Sequence, residues 1–246
     1  MKEAHAAILA LDAGNTRIKW GVHDAGAWRG QGAIETAQSA ALCEAFGSAL
    51  PAERAIASNV AGEEVRRRIE VACARAGIPV DFIAAQREQL GVRSLYADPA
   101  QLGADRWAAL VAAHHGGEGH KLVVNVGTAL TVDALTAAGE FLGGLIVPGP
   151  ALMRRSLDRG TAGLRLTEGA FQELPRSTPD AITSGALQAC AGAIARLGAA
   201  MASHGAAPDR IILSGGAARQ VEAILPYAHV YRENLVLEGL VLIARR

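Results

Sequence analysis

The chain has 246 residues, half of them hydrophobic and a fifth charged, enough to bury a real core as one large domain or two small ones. Its 24 basic and 24 acidic residues cancel, which argues against a nucleic-acid binder, whose affinity comes largely from basic groups that neutralise phosphates. Cys43, Cys73 and Cys190 are odd in number, widely spaced and free of any CxxC pair, so reduced thiols in a cytosolic protein are expected rather than disulfides or a metal site.

In chain order, the first apolar run is too short for a signal peptide and is interrupted by Asp12. It predicts a strand ending in the turn Asp12-Ala13-Gly14-Asn15-Thr16. Two further strands follow, with a turn at Gly26, so the segment reads as a three-stranded meander. Helices are then predicted near 37–48, 62–76 and 103–115, with strands near 54–58 and 79–84. The basic run Arg66-Arg67-Arg68 stands beside Glu63 and Glu64 and reads as a solvated helix face with i,i+4 partners.

The pattern then starts again. Residues 122–143 match residues 9–30 at an offset of 113, pairing Leu9 with Leu122, Gly14 with Gly127, Gly26 with Gly139 and Gly30 with Gly143. Asp12 falls opposite Asn125. A second meander is therefore expected, with turns at Gly127 and Gly139. After it come helices near 149–158 and 179–204, a strand near 209–214, a helix near 217–225, a strand near 228–231 and a helix near 234–245. The Ala-rich stretch 181–203 carries Gln188 and Arg196 and reads as a helix of a soluble protein rather than a membrane span. Meanders followed by βα units predict an α/β protein with mixed sheets, in two tandem lobes with an interlobe cleft that suits a ligand. The lobes are placed at 1–117 and 118–246.

Four segments carry candidate chemistry. In Asp12-Ala13-Gly14-Asn15-Thr16, a glycine after a strand can take positive φ and bring backbone N–H groups to an anion. Asn15 and Thr16 add donors, Asp12 offers a carboxylate to Mg²⁺, and Lys19 adds positive charge if it points back. Alone, the motif is equally an ordinary hairpin. The second copy, Asn125-Val126-Gly127-Thr128-Ala129, makes a pair of phosphate-gripping turns; Thr131 and Asp133 beyond it are either a site feature or an outward face. Ser214-Gly215-Gly216-Ala217, between a strand and a helix, would let a base or ribose lie against backbone, or is simply a tight turn. Gly103-Ala104-Asp105-Arg106 opens a helix, whose N-terminus favours an ionised Asp105. Asp105 is either a capping acid beside an exposed Arg106, or a general base with Arg106 holding a carboxylate or phosphate. His114-His115 read as a helix C-terminus. There is no HExxH, GxxxxGK[ST] or GxSxG.

Taken together, LALDAGNTRIKWG, YADPAQLGADRWAALVAA, VNVGTALTVDAL, GEFLGGLIVPG, SL, TAGL, STPDAITSGAL and ILSGGA resemble, in order, the type III pantothenate kinases of the acetate-kinase/sugar-kinase/Hsp70/actin-like superfamily. The resemblance runs from residue 9 to residue 217. It implies two ribonuclease H-like, actin-like ATPase lobes and transfer of the γ-phosphoryl of ATP to pantothenate, the first step of coenzyme A synthesis. Asp105 matches the proton acceptor. Tyr96 and Gly103, Ala104, Asp105 and Arg106 match the pantothenate-binding segment. Asp12, Ala13, Gly14, Asn15, Thr16, Arg17, Ile18, Lys19 and Thr128 match ATP-binding positions, and Gly215 and Gly216 fall on the adenosine side. Thr178 matches a substrate-binding threonine near a dimer interface.

The resemblance further implies a cytoplasmic homodimer that uses Mg²⁺ and a monovalent cation, K⁺ or NH₄⁺, with no nucleic-acid or membrane partner. The family carries Asp where this chain has Asn125, as a ligand for that cation. The neutral amide predicts weaker cation binding, although its carbonyl oxygen can still ligate. Rival readings are a sugar or acetate kinase of the same superfamily, a non-enzymatic regulatory protein, and an ATP-binding scaffold with a dead site.

Overall fold

A computed structural model describes residues 6–46, 52–161, 164, 167–225 and 228–246. The chain forms two compact units. The first runs up to Gly116 and takes back Asn234–Arg246; the second is Gly117–Glu233.

The first unit opens with β1 (Ile8–Ala13), whose apolar run is buried almost throughout, as expected of a central strand with a layer on each face. β1 pairs antiparallel with β2 (Arg17–Asp24), which pairs antiparallel with β3 (Ala27–Glu35), an edge strand with mostly exposed residues. A 3₁₀ segment Thr36–Ala41 and a short helix α1 (Leu42–Ala45) follow. The sequence predicts one regular helix over 37–48, and its last two residues lie outside the described ones. β4 (Arg54–Asn59), α2 (Glu63–Arg75) and β5 (Val80–Phe82) complete the sheet, in the order β3-β2-β1-β4-β5, with the last two pairings parallel.

On α2, Arg66 pairs with Glu70 at 3.1 Å and Arg68 pairs with Glu64, the solvated i,i+4 face read from sequence. A hairpin, β6 (Glu88–Gln89) and β7 (Val92–Ser94), is absent from the sequence expectations, because two- and three-residue strands show no periodicity. α3 (Ala104–His115) ends the segment, with His115 as its last residue and Gly116 as its C-cap.

The second unit repeats this plan. β8 (Lys121–Val126), β9 (Ala129–Leu135) and β10 (Glu140–Pro148) form the second meander. The offset of 113 carries Ile8 onto Lys121 and Ala27 onto Glu140, so the first and third strands of the two meanders begin at matching positions. α4 (Pro150–Gly160) and α5 (Thr178–Ser203) precede β11 (Arg210–Ser214), α6 (Ala218–Glu222) and β12 (His229–Tyr231). The strand order β10-β9-β8-β11-β12 repeats that of the first unit, again with parallel β8–β11 and β11–β12 pairs. α5 is long and apolar enough to cross a membrane, yet it lies against β8, β9 and α4 and buries Leu187, Cys190 and Ile194 in the core of this unit.

The last helix, α7 (Leu235–Ala244), departs from the predicted boundary. It packs on α3, β1 and β4 of the first unit rather than on the second. Its residues are apolar on almost every side, and most are buried, so it needs two apolar partners at once. Helix α3 and the sheet supply them. Contact with α3 is so close that a Cβ on Gly239 would lie 1.9 Å from the carbonyl oxygen of Ala108. All three cysteines are free thiols; Cys73 and Cys190 are buried and Cys43 half-buried.

Candidate active site

The first phosphate-type turn is held by its own backbone and by one threonine. Gly14 N donates to Arg17 O at 3.0 Å, Thr36 N donates to Thr16 O at 3.0 Å, and Thr36 Oγ1 donates to Gly14 O at 2.7 Å. Asn15, Thr16 and Arg17 are exposed, whereas Ala13 and Ile18 are fully buried in the core, so any ligand contact from those two runs through backbone. Gly14 and Gly127 are not among the residues with positive φ, contrary to the reason given for glycine from sequence; both turns close by N–H to carbonyl bonds instead.

Asp12 ends β1. Its strand partner on β2 is Lys19 and its partner on β4 is Ser58. Ser58, fully buried, donates its hydroxyl to Asp12 Oδ1 at 2.8 Å. Burial, and after it the negative charge of Asp105, push the Asp12 carboxyl up to about 6, against the opposing pull of Ser58 and Lys19. Lys19 therefore does lie within electrostatic reach of Asp12. Ser58 is a member of the site that sequence reading misses: in the apolar run Ala55-Ile56-Ala57-Ser58 it looks like a small core residue, and only the β1–β4 register brings it to Asp12.

Asp105 sits in the first turn of α3, where its Oδ1 accepts from Arg106 N at 2.8 Å. The helix terminus and the Arg106 charge do favour the ionised form, as expected. Burial outweighs them, and the Asp105 carboxyl lies above the ordinary carboxylate range. Gly103 stands where any side chain would collide with this carboxylate: a Cβ there would be 2.6 Å from Asp105 Oδ1. Arg106 is only 6 % exposed, so the reading of an exposed arginine fails. Its guanidinium approaches the Tyr96 hydroxyl at 3.5 Å. Asp12, Lys19, Ser58, Tyr96, Gly103, Ala104, Asp105 and Arg106 all belong to the first unit.

In the second unit, Asn125 ends β8 opposite Thr131 of β9 and Ser214 of β11. The turn closes through Gly127 N to Ala129 O at 2.9 Å, and Gly149 N donates to Thr128 O at 2.8 Å. Gly215 has φ 102°, and a Cβ on it would lie 2.4 Å from Val126 O and 2.5 Å from Asn125 Oδ1. Packing of one turn on the other thus requires this glycine, with the Asn125 amide oxygen directed at it. Gly216 and Thr128 are exposed. Asp133 is 1 % exposed, which removes the outward-face reading for it. Thr178 is exposed as the first residue of α5, capped by Ser177, whose Oγ accepts from Asp180 N at 3.3 Å. Of the TAGL motif, Ala162 and Gly163 lie outside the described residues.

Two carboxylates in mutual electrostatic reach, both displaced towards neutral, with a buried arginine beside a tyrosine hydroxyl, suit proton transfer next to an anion site. The crowding of negative charge around Asp12 also fits a divalent cation, which would offset it.

Comparison with known proteins agrees. The model of the type III pantothenate kinase family matches residues 8–200. A type III pantothenate kinase of Aromatoleum aromaticum is 47% identical over 97% of this chain and 98% of its own length. Among solved structures, a Campylobacter jejuni protein described as a Baf family transcriptional activator has a TM-score of 0.61 at 19% identity, over 96% of this chain and 97% of that one. A ROK family glucokinase from Streptomyces griseus, solved with glucose and AMPPNP, has a TM-score of 0.54 at 14% identity, over 98% of this chain and 100% of that one. These two likenesses carry the fold alone, an α/β fold of the ribonuclease H-like, actin-like class.

Proposed function

This chain belongs to the type III pantothenate kinase family, and we propose that it transfers the γ-phosphoryl group of ATP to the primary hydroxyl of (R)-pantothenate, giving 4′-phosphopantothenate and ADP. The observation that carries the reading is Asp105, a half-buried carboxylate of raised proton affinity beside the buried Arg106. Phosphoryl transfer depends on alignment and charge neutralisation more than on covalent chemistry. Arg106 and Tyr96 hold pantothenate. Asp105 takes the hydroxyl proton as the oxygen bonds to the γ-phosphorus and the bond to ADP breaks. Its raised proton affinity makes it a better base near neutral pH than an ordinary carboxylate.

In the first unit the candidate ATP contacts are the turn from Asp12 to Lys19; in the second unit they are Thr128 and the Gly215-Gly216 turn. Mg²⁺, held by Asp12 directly or through water, supplies charge neutralisation to the phosphates. Asn125 is the candidate monovalent-cation position and offers only an amide oxygen. Thr178, in the second unit, is a further candidate for binding substrate, and the active form is a homodimer. Exposed Leu152 and Leu157 on α4 support such an assembly. The protein acts in the cytoplasm. An ADP-release assay with pantothenate against a panel of sugars, with and without K⁺, tests the reading. ADP release specific to pantothenate is expected, and its absence overturns the assignment.

A further inference from the structure

The β6–β7 hairpin leads directly into the segment that carries Tyr96. It turns through Leu90 and Gly91, both in the left-handed region at φ 54° and 78°, the geometry that matches the twist of a two-residue hairpin. Its open end is closed by Ser94 N donating to Arg87 O at 2.9 Å. From there the Arg87 guanidinium donates to three carbonyls of the outgoing backbone: Ser94 O at 3.0 Å, Tyr96 O at 2.7 Å and Ala97 O at 2.9 Å. The Tyr96 N–H donates to the fully buried Ser94 at 3.3 Å, so both backbone polar groups of Tyr96 are fixed. On the hairpin's other side, Gln89 Oε1 accepts from Trp107 Nε1 at 2.8 Å, and Trp107 is the buried neighbour of Arg106 on α3.

Three carbonyls converging on one point need a shared donor, and a guanidinium, with five N–H groups in a planar fork, can serve all three. An ammonium has donors but not that span. The contact it supports is sensitive, because the Tyr96 hydroxyl meets Arg106 at 3.5 Å, the outer limit of a hydrogen bond. Small displacements of groups around a reacting centre cost large factors in rate or affinity.

We infer that Arg87 is a positioning residue of the acceptor site: by clamping the carbonyls of Ser94, Tyr96 and Ala97 it sets Tyr96 beside Arg106 and so governs affinity for the acceptor. The inference rests on the proposal that Tyr96 and Arg106 hold pantothenate. Arg87 itself is exposed, so its replacement leaves the core intact.

The test is steady-state kinetics of Arg87→Met, Arg87→Lys, Tyr96→Ala and the double variant Arg87→Met/Tyr96→Ala. Arg87→Met is expected to raise KM for pantothenate about tenfold while KM for ATP stays within about twofold. Arg87→Lys should recover only part of that loss. In the double variant the two effects should not add, since they remove the same positioning. Amide hydrogen exchange in Arg87→Lys supplies a readout independent of turnover: faster exchange confined to residues 94–98 is expected, with global unfolding unchanged. If Tyr96→Ala weakens pantothenate while Arg87→Met does not, or if the two effects add in full, the inference about Arg87 is overturned and the acceptor reading stands. If Tyr96→Ala leaves pantothenate KM unchanged, the acceptor reading falls and takes the inference with it.

Discussion

The two units share a strand order and a turn at the same place in it, yet the turns have diverged in charge. In the first, Asp12 faces Lys19 and Ser58 and feels the field of Asp105. In the second, the matching residue is the amide Asn125, packed on Gly215. The repeat therefore preserves a frame that presents backbone near the end of a central strand, while a carboxylate stands at that position in one copy and an amide in the other. A carboxylate confined with another carboxylate is costly to the folded protein. That cost falls on the first unit, at Asp12.

The sharpest break of this comparison is Asp105→Asn. Loss of a general base should cut kcat by roughly 10²–10⁴-fold, with ATP affinity little changed by equilibrium titration. Turnover near the parent value would remove Asp105 from the role.

Next comes Gly215→Ala in the neutral turn. Positive φ and the collision with Val126 O should cost about 2–4 kcal/mol in urea unfolding of the protein. A variant as stable as the parent would mean that the turn-on-turn packing is not tight.

Smaller, and opposite in sign, is Asp12→Asn. Burial and the nearby Asp105 push the folded Asp12 carboxyl up to about 6, above its ordinary value of 3.8, so the folded state binds its proton more tightly than the unfolded chain does. Ligand-free stability should then be fullest below about pH 4, fall as the pH rises through about 6, and stay low above it. The amide variant should lose that decline and be more stable than the parent at pH 8, by on the order of 2 kcal/mol, while losing activity. Parallel stability curves for the two proteins from pH 4 to pH 8 would refute the charge crowding at Asp12.

Last is Asn125→Asp, which restores a carboxylate to the second turn. It should deepen the dependence of turnover on K⁺ several-fold, measured against Na⁺ at constant ionic strength. No difference between the two salts in either protein would show that this position does not govern a cation.

Much of this was legible in the sequence. The meanders follow from alternating apolar runs and glycine turns, and their common offset predicted a second meander with turns at Gly127 and Gly139, between β8, β9 and β10. Gly103 to Arg106 read equally as a capped helix start, and it stood out only in company with the other motifs of the family resemblance. What stayed hidden depends on contacts between distant segments. Ser58 is mute until β4 lies parallel to β1. Arg87 precedes a hairpin too short for periodicity to reveal. The burial of Asp105, which reverses the pull of the helix terminus, arises from α3 being enclosed. The placement of α7 could not be read from its own residues, since an all-round apolar helix suits either unit.

That placement has a consequence in time. Helix α3, which carries Asp105 and Arg106, has its neighbour α7 only from residue 235 onward. A ribosome must therefore synthesise the whole of the second unit before the first can complete its core around α3. Until then α3 lacks the cover α7 gives it, and an apolar flank left open in this way favours aggregation over folding.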